Sequence, residues 1–354
     1  MASGRTRDIN ELRAGLERWL QAAPEQVPHA DGRQLKIADL HHATSGLANE
    51  TVLIDLVGPH QGLAIRLPPL EPSFATYDLS TQAAVQNALA GAGIPAPAPS
   101  ICVHDLQWIG VPFLAMPRLQ GRIPGPAPLF DRWIMGASPE EQRRLHDGLI
   151  ELLALLHSID VSSLDLPKEI PGPDLPAALE FWSNYIEWAG DGQPLPALTQ
   201  AMSWCRSRYP SVAPSQNMPA LVWGDPRLGN LVCTDDFWVS GVLDWELAAV
   251  GPPEMDLGWY FGLDAMMEEL FGRRVPGFPE RSEALALYES RSGRTVRDLE
   301  WHEIFALTRA VAINDRQQRV AAASGTRYVG GAPAVDPSSD PLANVLLARI
   351  EATG

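Results

Sequence analysis

Between residues 221 and 248 the chain runs LVWGDPRLGNLVCTDDFWVSGVLDWELA, an apolar segment broken by Asp, Asn and Gly. Short apolar runs bounded by turn-forming residues are typical of buried strands. The sequence on both sides of this segment has helical periodicity instead. The segment therefore predicts a loop and two short strands inside a mainly helical lobe.

The N-terminal third has a different pattern, in which short strand-like runs predominate. Residues 8–21 place their large apolar side chains on one helical face, which predicts an amphipathic helix. Three strand-like runs joined by short Gly-containing turns then predict an antiparallel meander. A helix over 78–93 and a proline-rich connector precede two more short strands. The predicted strands cover 35–43, 50–58, 62–69, 100–104 and 111–116.

Beyond LQGRIPGPAP (119–128) the chain is mainly helical in its periodicity. Ser138, Pro139 and Glu141 form a capping box with proline at the first helical position, which begins a long helix. Further helices are predicted around 176–189, 195–208, 281–290 and 299–322.

These patterns predict an α+β protein with two lobes, since 354 residues exceed what one compact core usually holds. An N-terminal amphipathic helix occupies 1–30. A small antiparallel β lobe follows over 31–118, and a larger, mainly helical lobe takes up 119–354.

The charge composition disfavours some classes of binding partner. Lys and Arg number 27 against 43 Asp and Glu, a net charge of −16, which disfavours nucleic acid or an anionic membrane as partner. The three cysteines lie far apart, and no signal peptide or membrane span is predicted. The chain also lacks a G-x-x-x-x-G-K-[ST] motif, which excludes a P-loop. We expect a cytoplasmic protein that acts on a small molecule; its oligomeric state is not indicated.

Four polar residues in 221–248 have the order and spacing that magnesium-assisted phosphoryl transfer requires. Asp225 and Asn230 can supply a catalytic base and one metal ligand from a single loop. Arg227 lies between them and can reach the transferred phosphate. Asp244 ends an apolar strand and can present a second metal oxygen from a rigid support.

WGDPRLGN and GVLDWELAAVGPPEMDLGW together resemble the signature of the aminoglycoside phosphotransferase-like kinases, H-G-D-x-x-x-x-N followed by [IL]-D-W-E and G-[DP]-x-x-x-D-L. IRLPP, FLAMPRLQGR and LLALLHSID match further family segments, so the resemblance covers about residues 33–322. It is greatest to the subgroup that includes the kinase domains associated with acyl-CoA dehydrogenases and many actinobacterial proteins. The resemblance implies a bilobal protein-kinase-like fold and a phosphotransferase that uses ATP or GTP with Mg²⁺.

The resemblance also implies roles for individual residues. Asp225 would be the catalytic base, assisted by Arg227, with Asn230 and Asp244 as magnesium ligands. Asp256 would bond to the backbone of the catalytic loop. The implied nucleotide contacts are Ser45, Gly46, Asn49, Arg66, Met116 and Arg118.

Three departures from the family pattern motivate an alternative function. Arg66 replaces the lysine of the third strand, and Gln82 replaces the helix glutamate that pairs with it. Trp223 replaces the histidine of H-G-D. Arginine still binds phosphate oxygens, and an amide can still accept a hydrogen bond from it. The alternative is a pseudokinase that binds nucleotide or a partner without turnover.

The acceptor remains open, because several groups of side chains suit different hydroxyl compounds. An aromatic stripe on the helix at 176–189 suits an apolar acceptor such as a hydroxyacyl compound or its CoA ester. Carboxylates would suit a cationic antibiotic, and arginines a CoA phosphate. For each group the ordinary interpretation, core packing or a solvated surface, is favoured over an acceptor contact. The groups are Phe181, Trp182, Tyr185 and Trp188 with Trp245, Trp259 and Tyr260; Asp264, Glu268 and Glu269; and Arg309, Arg316 and Arg319. Glu246 lies near enough to Asp244 to contact metal-bound water or the acceptor.

Overall fold

The structure is a computed structural model that describes residues 6–30, 33–43, 49–58, 62–172, 175–209, 219–325 and 340–353. Within these residues the chain forms two compact units. The first unit is built from Met1–Gln120, Asp165–Lys168 and Gln317–Ala332, and the second from Gly121–Leu164, Glu169–Arg316 and Pro333–Gly354.

The first unit contains a five-stranded antiparallel sheet with strand order β1-β2-β3-β5-β4. The first three strands follow one another as a meander, and β5 returns beside β3. The unit also holds helices α1 (Ile9–Ala22) and α2 (Leu79–Gly91). The strands are β1 (Ile37–His42), β2 (Glu50–Leu56), β3 (Leu63–Leu67), β4 (Ile101–Val103) and β5 (Phe113–Pro117).

The two helices pack on opposite faces of this sheet. Neighbouring residues of a strand point to opposite faces, and β5 shows both environments. Phe113 lies in the core beneath α1, with its ring 5.1 Å from that of Trp19, whereas Leu114 clusters with Leu79 of α2. Asp8 caps α1 by accepting hydrogen bonds from two backbone amides. The N-terminal helix is thus part of the first unit's core.

The second unit is mainly helical. Its long helix α4 begins with the predicted capping box, in which the side chains and backbone amides of Ser138 and Glu141 bond reciprocally. Among the helices that the structure describes, none is long and apolar enough to cross a membrane. The helices are α3 (Arg132–Met135), α4 (Pro139–Ser158), α5 (Leu175–Ala189), α6 (Pro196–Arg208), α7 (Glu254–Phe271), α8 (Arg281–Ser292), α9 (Leu299–Ser324) and α10 (Pro341–Ala352).

Two antiparallel ribbons lie among these helices. Strand β6 (Ala220–Val222) pairs with β9 (Ala249–Gly251), and β7 (Leu231–Cys233) pairs with β8 (Val239–Val242). The segment over 221–248 that predicted two strands therefore contains β7, β8 and part of β6.

The predicted fold class is confirmed, but the short helix α3 and helices α7 and α10 were not predicted. Helix α7 is buried around most of its circumference, from Leu257 to Phe261, so its sequence lacks the alternation of apolar and polar faces that marks a surface helix. Helix α10 is short and follows a long stretch without helical periodicity.

A buried histidine makes the second unit sensitive to acid. His302 on α9 is 3% exposed, and its Nδ1 atom has no hydrogen-bond partner among the described residues. Burial lowers the pKa of His302 from 6.5 to about 3. Below pH 6.5 the unfolded chain therefore binds the proton more readily. As the pH falls towards 3, the free energy of unfolding decreases by up to about 1.4 kcal/mol per unit.

We expect His302→Leu to remove this contribution. Urea denaturation at pH 7.5 and pH 5 should show that the variant loses about 2 kcal/mol less than wild type over this interval. His41→Leu, at a half-buried histidine of the first unit, is the control, and other titrating groups cancel in the comparison. Equal losses in wild type and His302→Leu would contradict the prediction.

Candidate active site

The two β ribbons present the polar residues of the predicted catalytic loop. Asp225 follows β6, Asn230 ends a 3-10 turn directly before β7, and Asp244 follows β8. The backbone amide of Leu243 donates to the carbonyl of Asn230 at 2.9 Å, which holds the residue after β8 beside the residue before β7. Asp244 has a left-handed φ of 66°, a conformation that Asp adopts more readily than most residues. The ribbons thus gather Asp225, Asn230 and Asp244 in one cluster.

The Asp225 carboxylate accepts three side-chain hydrogen bonds. Arg227 Nε at 2.9 Å and Asn230 Nδ2 at 2.8 Å donate to its Oδ2 atom. Trp259 Nε1 donates to its Oδ1 atom at 2.8 Å. An ionised carboxylate offers about four acceptor positions, two on each oxygen. Among the described contacts, Oδ2 is therefore saturated, and one position on Oδ1 remains for an incoming hydroxyl group.

Burial and charge act in opposite directions at this cluster. Burial raises the pKa of Asp225 above its ordinary value, and Asp244 adds to the rise, whereas Arg227 and Asn230 oppose it. Burial by itself lowers the pKa of Arg227, but the surrounding carboxylates, Asp225 foremost, leave that pKa raised. A carboxylate with a raised pKa is a stronger base towards a hydroxyl proton. The arrangement can therefore orient a hydroxyl group and take its proton.

A second, fully buried aspartate holds the backbone that precedes Asp225. Asp256 on α7 accepts hydrogen bonds from the backbone amides of Trp223 at 2.7 Å and Gly224 at 2.8 Å. Its Oδ2 atom also lies 3.0 Å from Nε2 of His157, a residue of α4 that is fully buried as well. The loop is thereby bonded to two helices of the second unit.

Trp223 stands where the family pattern has histidine. Its buried indole Nε1 donates to the backbone carbonyls of Leu243 at 2.9 Å and Asp244 at 3.0 Å. The replacement thus connects the strand before the loop to the backbone of a predicted metal ligand. Gly224 follows with a φ of 89°, and a Cβ there would lie 2.2 Å from the carbonyl oxygen of Leu247. Only glycine fits this position.

Arg309, a candidate surface contact for a CoA phosphate on sequence grounds, lies inside the second unit and is 3% exposed. Its guanidinium lies over the rings of Trp182 and Trp259, 4.8 Å from each centroid, and its Nη2 donates to the Gly224 carbonyl at 3.0 Å. Burial lowers the pKa of Arg309 to about 10, although the charge of Asp256 opposes this. A surface role for this arginine is therefore wrong.

Asn230 and Asp244 carry oxygen donors of the kind that a magnesium ion needs. The Nδ2 atom of Asn230 is engaged with Asp225, so its Oδ1 atom is the one that can face a cation. Asp244 supplies a carboxylate close enough to raise the pKa of Asp225. Such hard oxygen donors, completed by phosphate oxygens, suit Mg²⁺. The donor set therefore fits the predicted metal.

Arg66 and Gln82, two departures from the family pattern, contact each other in the first unit. Arg66 on β3 is 8% exposed, and its Nη1 atom donates to Oε1 of Gln82 on α2 at 3.1 Å. A hydrogen bond between a cation and a neutral amide thus takes the place of the family's ion pair. The arginine is held beside the sheet with its charge retained.

The other residues predicted to bind the nucleotide also belong to the first unit. Met116 on β5 is buried, and its neighbour on β3 is Ala64. Arg118 follows β5 and donates to an aspartate of β2 at 2.8 Å. Asn49 directly precedes β2, while Ser45 and Gly46 lie outside the residues that the structure describes.

The aromatic stripe of α5 is mostly packed inside the second unit. Tyr185 is 6% exposed, and its ring centroid lies 5.0 Å from that of Trp182 and 5.8 Å from that of Trp188. Trp188 is half-buried beneath the guanidinium of Arg316, 4.4 Å from the ring centroid. Glu246 is half-buried near the catalytic loop, where its charge acts on the arginine of that loop.

A mostly apolar pocket of the second unit adjoins the catalytic loop. Arg227 forms part of its wall, and helix α7 forms another part. The hydroxyl group of Tyr260, which also lines the pocket, is buried without a hydrogen-bond partner in the part of the chain that the structure describes. Its apolar lining consists of Pro126, Pro128, Leu129, Pro226, Leu228, Leu263, Met267, Val275 and Phe278.

Two contacts of the catalytic loop were not predicted from the sequence: that of Trp259 with Asp225 and that of Arg309 with the Gly224 carbonyl. Trp259 lies one turn after Asp256 on α7, and this spacing places both side chains on the same helix face. That spacing was the available signal for Trp259. Arg309 is distant in the chain, and nothing in its local sequence distinguishes it from a surface arginine.

Comparison with known proteins places this geometry in a family. Residues 39–318 match the phosphotransferase enzyme family. Acyl-CoA dehydrogenase family member 11 of Rattus norvegicus is 30% identical over 310 residues, which cover 85% of this chain and 38% of the rat protein. The chain thus spans well under half the length of this relative.

Solved structures share the fold. A protein of Ralstonia eutropha assigned as an aminoglycoside phosphotransferase superimposes with a TM-score of 0.69 at 24% identity, over 96% of this chain and 98% of that chain. The aminoglycoside phosphotransferase APH(4)-Ia, in complex with ADP and hygromycin B, gives a TM-score of 0.53 at 15% identity, over 90% and 93% of the two chains. With the family match over most of its length and this kinase-like fold, the chain belongs to the phosphotransferase enzyme family.

Proposed function

We propose that the protein is a small-molecule O-phosphotransferase that moves the γ-phosphate of ATP or GTP to a hydroxyl group. The observation that carries the proposal is the Asp225 carboxylate, which is held by three donors and keeps one acceptor position on Oδ1. In this proposal the first unit holds the nucleotide, and the second unit supplies the base and the acceptor site.

The proposed step needs one proton acceptor and one oriented nucleophile. Asp225 accepts the hydrogen bond of the acceptor's hydroxyl group and then its proton. The hydroxyl oxygen forms a bond to the γ-phosphorus, while the bond from that phosphorus to the bridging oxygen of the leaving diphosphate breaks. Arg227, whose Nε atom lies 2.9 Å from Asp225, would balance negative charge on the transferred group.

Asn230 Oδ1 and Asp244 would hold the magnesium ion. When bound, Mg²⁺ would neutralise charge on the phosphate oxygens and orient them. Ser45, Gly46 and Asn49 are proposed to close over the phosphates. Arg66 would contact the phosphate oxygens, and the backbone around Met116 and Arg118 would bind the base.

The pocket beside Arg227 supports an acceptor with an apolar body. Most of its lining is apolar, and its carboxylates, Asp264 and Glu268, face three arginines of the same lining, so it lacks the net negative charge that a polycation would need. Burial moreover raises the pKa of Asp264. A hydroxyacyl compound or its CoA ester therefore fits better than an aminoglycoside antibiotic. The name of the rat relative, which refers to acyl-CoA, points to the same class.

A pseudokinase that binds nucleotide or a partner without turnover is the second candidate. The observation that favours it is the bond between Arg66 and Gln82, which replaces the family's ion pair. Turnover with any acceptor, abolished by Asp244→Ala, would exclude this candidate.

Thermal unfolding with nucleotide tests the binding part of the proposal. A ligand at about 100 times its dissociation constant adds about 2.7 kcal/mol to the stability of the folded protein, enough to raise Tm by several degrees. We expect this rise with MgATP or MgGTP. The rise in Tm should be smaller without Mg²⁺ and in Asp244→Ala, because either change would remove the ion that would neutralise charge on the phosphates.

The matched control is Asp235→Ala, which removes an exposed aspartate from the β7–β8 turn. This variant should keep the full rise. A rise that persists without Mg²⁺ and in Asp244→Ala would contradict the metal site and favour the pseudokinase. No rise with either nucleotide would contradict nucleotide use altogether.

A further inference from the structure

The indole of Trp259 determines which part of the Asp225 carboxylate is accessible. Its Nε1 atom donates to Oδ1 at 2.8 Å, whereas Arg227 and Asn230 donate to Oδ2. Without the indole, Oδ1 would carry no side-chain donor among the described residues. The carboxylate could then rotate about its Cβ–Cγ bond and present either open position. A terminal bond of this kind has a broad torsional preference, so neighbouring groups decide its angle.

Arg309 holds both the indole and the loop backbone. Its guanidinium lies over the Trp259 ring at 4.8 Å and over the Trp182 ring at the same distance, while its Nη2 donates to the carbonyl of Gly224. Gly224 directly precedes Asp225. One side chain of α9 thus contacts the group that orients the carboxylate and the backbone from which the carboxylate projects.

The positive charge of Arg309 also stabilises the two buried carboxylates near the loop. Asp256 is fully buried and Asp225 is mostly buried, with 14% of its side chain exposed. Buried carboxylates are costly unless they are paired and hydrogen-bonded. The negative charges of Asp256 and Asp225 both act on Arg309. Its buried guanidinium is the cation that α9 contributes to this cluster.

We propose that Trp259 and Arg309 are positioning residues that hold Asp225 with one acceptor position of Oδ1 facing the acceptor's hydroxyl group. The inference rests on the proposed function, in which Asp225 is the base. Neither residue contacts the reacting atoms in this proposal. Loss of either contact lowers turnover without changing nucleotide affinity.

Trp259→Phe is the central variant, because it keeps an aromatic ring for Arg309 and removes only the indole with its N–H donor. The assay follows release of inorganic phosphate from MgATP, with water as acceptor. We expect kcat to fall about 10- to 100-fold, the range for a misplaced catalytic group, while KM for MgATP stays within about twofold. Arg309→Lys keeps the positive charge but loses the planar guanidinium. It should likewise lower kcat while KM for MgATP stays within about twofold.

Trp301→Phe is the matched control. Trp301 is also a buried tryptophan of the second unit, and its Nε1 donates to a backbone carbonyl, that of Cys205, at 3.1 Å. Among the described residues it forms no hydrogen bond with Asp225, so the kcat of Trp301→Phe should equal that of wild type. An equal loss of kcat in both variants would show a merely structural effect and overturn the inference.

A second measurement does not depend on turnover. In a ¹⁵N-labelled protein the indole N–H signal of Trp259 is identified by its absence in Trp259→Phe. We expect that signal to exchange with D₂O far more slowly than that of Trp238, which is 58% exposed, and to shift in Asp225→Asn. Fast exchange with no shift would overturn the inference.

The outcomes separate the two proposals. If Asp225→Asn leaves phosphate release unchanged, the proposed function fails, whatever the signal of Trp259 shows. If Asp225→Asn abolishes release while Trp259→Phe matches wild type, the function stands and the positioning roles are wrong.

Discussion

Asp225→Asn is expected to lower kcat for phosphate transfer from MgATP by about 10²–10⁴-fold, the usual contribution of a general base. The amide has nearly the same shape but cannot take the hydroxyl proton. It also carries an N–H₂ group, which would face the donors of either Trp259 or Asn230. Because burial already raises the pKa of Asp225, replacing it with a neutral group should leave the protein folded.

Steady-state phosphate release and thermal unfolding of the same preparations test this expectation. Asp235→Asn provides the control, since it makes the same chemical change at an exposed turn of the second unit. KM for MgATP should change little in Asp225→Asn, because the carboxylate acts on the acceptor. A folded Asp225→Asn protein with wild-type kcat would rule out Asp225 as the base.

Asp256→Ala is expected to destabilise the protein by about 3–5 kcal/mol, the cost of breaking a buried charged interaction by removing one partner. Asp256 is fully buried and accepts the amides of Trp223 and Gly224. The substitution leaves these two donors and His157 without their acceptor. Each buried group that loses its hydrogen bond adds a desolvation cost.

Urea denaturation gives the free energy of unfolding for this comparison. Glu268→Ala, which removes an exposed carboxylate from the same helix, should change it by less than about 0.5 kcal/mol. A loss below about 1 kcal/mol in Asp256→Ala would mean that the contacts around Asp256 do not support the loop. In that case another element must hold the backbone before Asp225.

Local patterns predicted most of the first unit. The meander over 35–69 corresponds to β1, β2 and β3, and alternation along these runs places one set of side chains in the core. The capping box at Ser138 marked the start of α4 correctly, because capping depends on a few adjacent residues. Helix α7 was not predicted, because it is buried on nearly all sides and its sequence therefore lacks the helical alternation of apolar and polar residues.

Some contacts of the candidate site were likewise predictable from local sequence, and others were not. Asp225, Arg227 and Asn230 lie within one loop, so their contacts with one another follow from spacing. Asp244 is brought in by the β7–β8 ribbon, which the apolar runs predicted. Trp259 and Arg309 reach the loop from separate helices, and their contacts with Asp225 and with the Gly224 carbonyl were not predicted.

Spacing along the chain was sufficient for the kinase-like fold class and for the carboxylates and amide of the loop, since strand pairs, caps and short loops are determined by neighbouring residues. Tertiary packing decided which oxygen of Asp225 stays accessible, and it moved Arg309 from a predicted surface to the interior. Both outcomes depend on side chains that are distant in sequence and meet only when α7 and α9 pack together. Hydrogen bonds and buried charges acquire their partners, and therefore their energies, at that step.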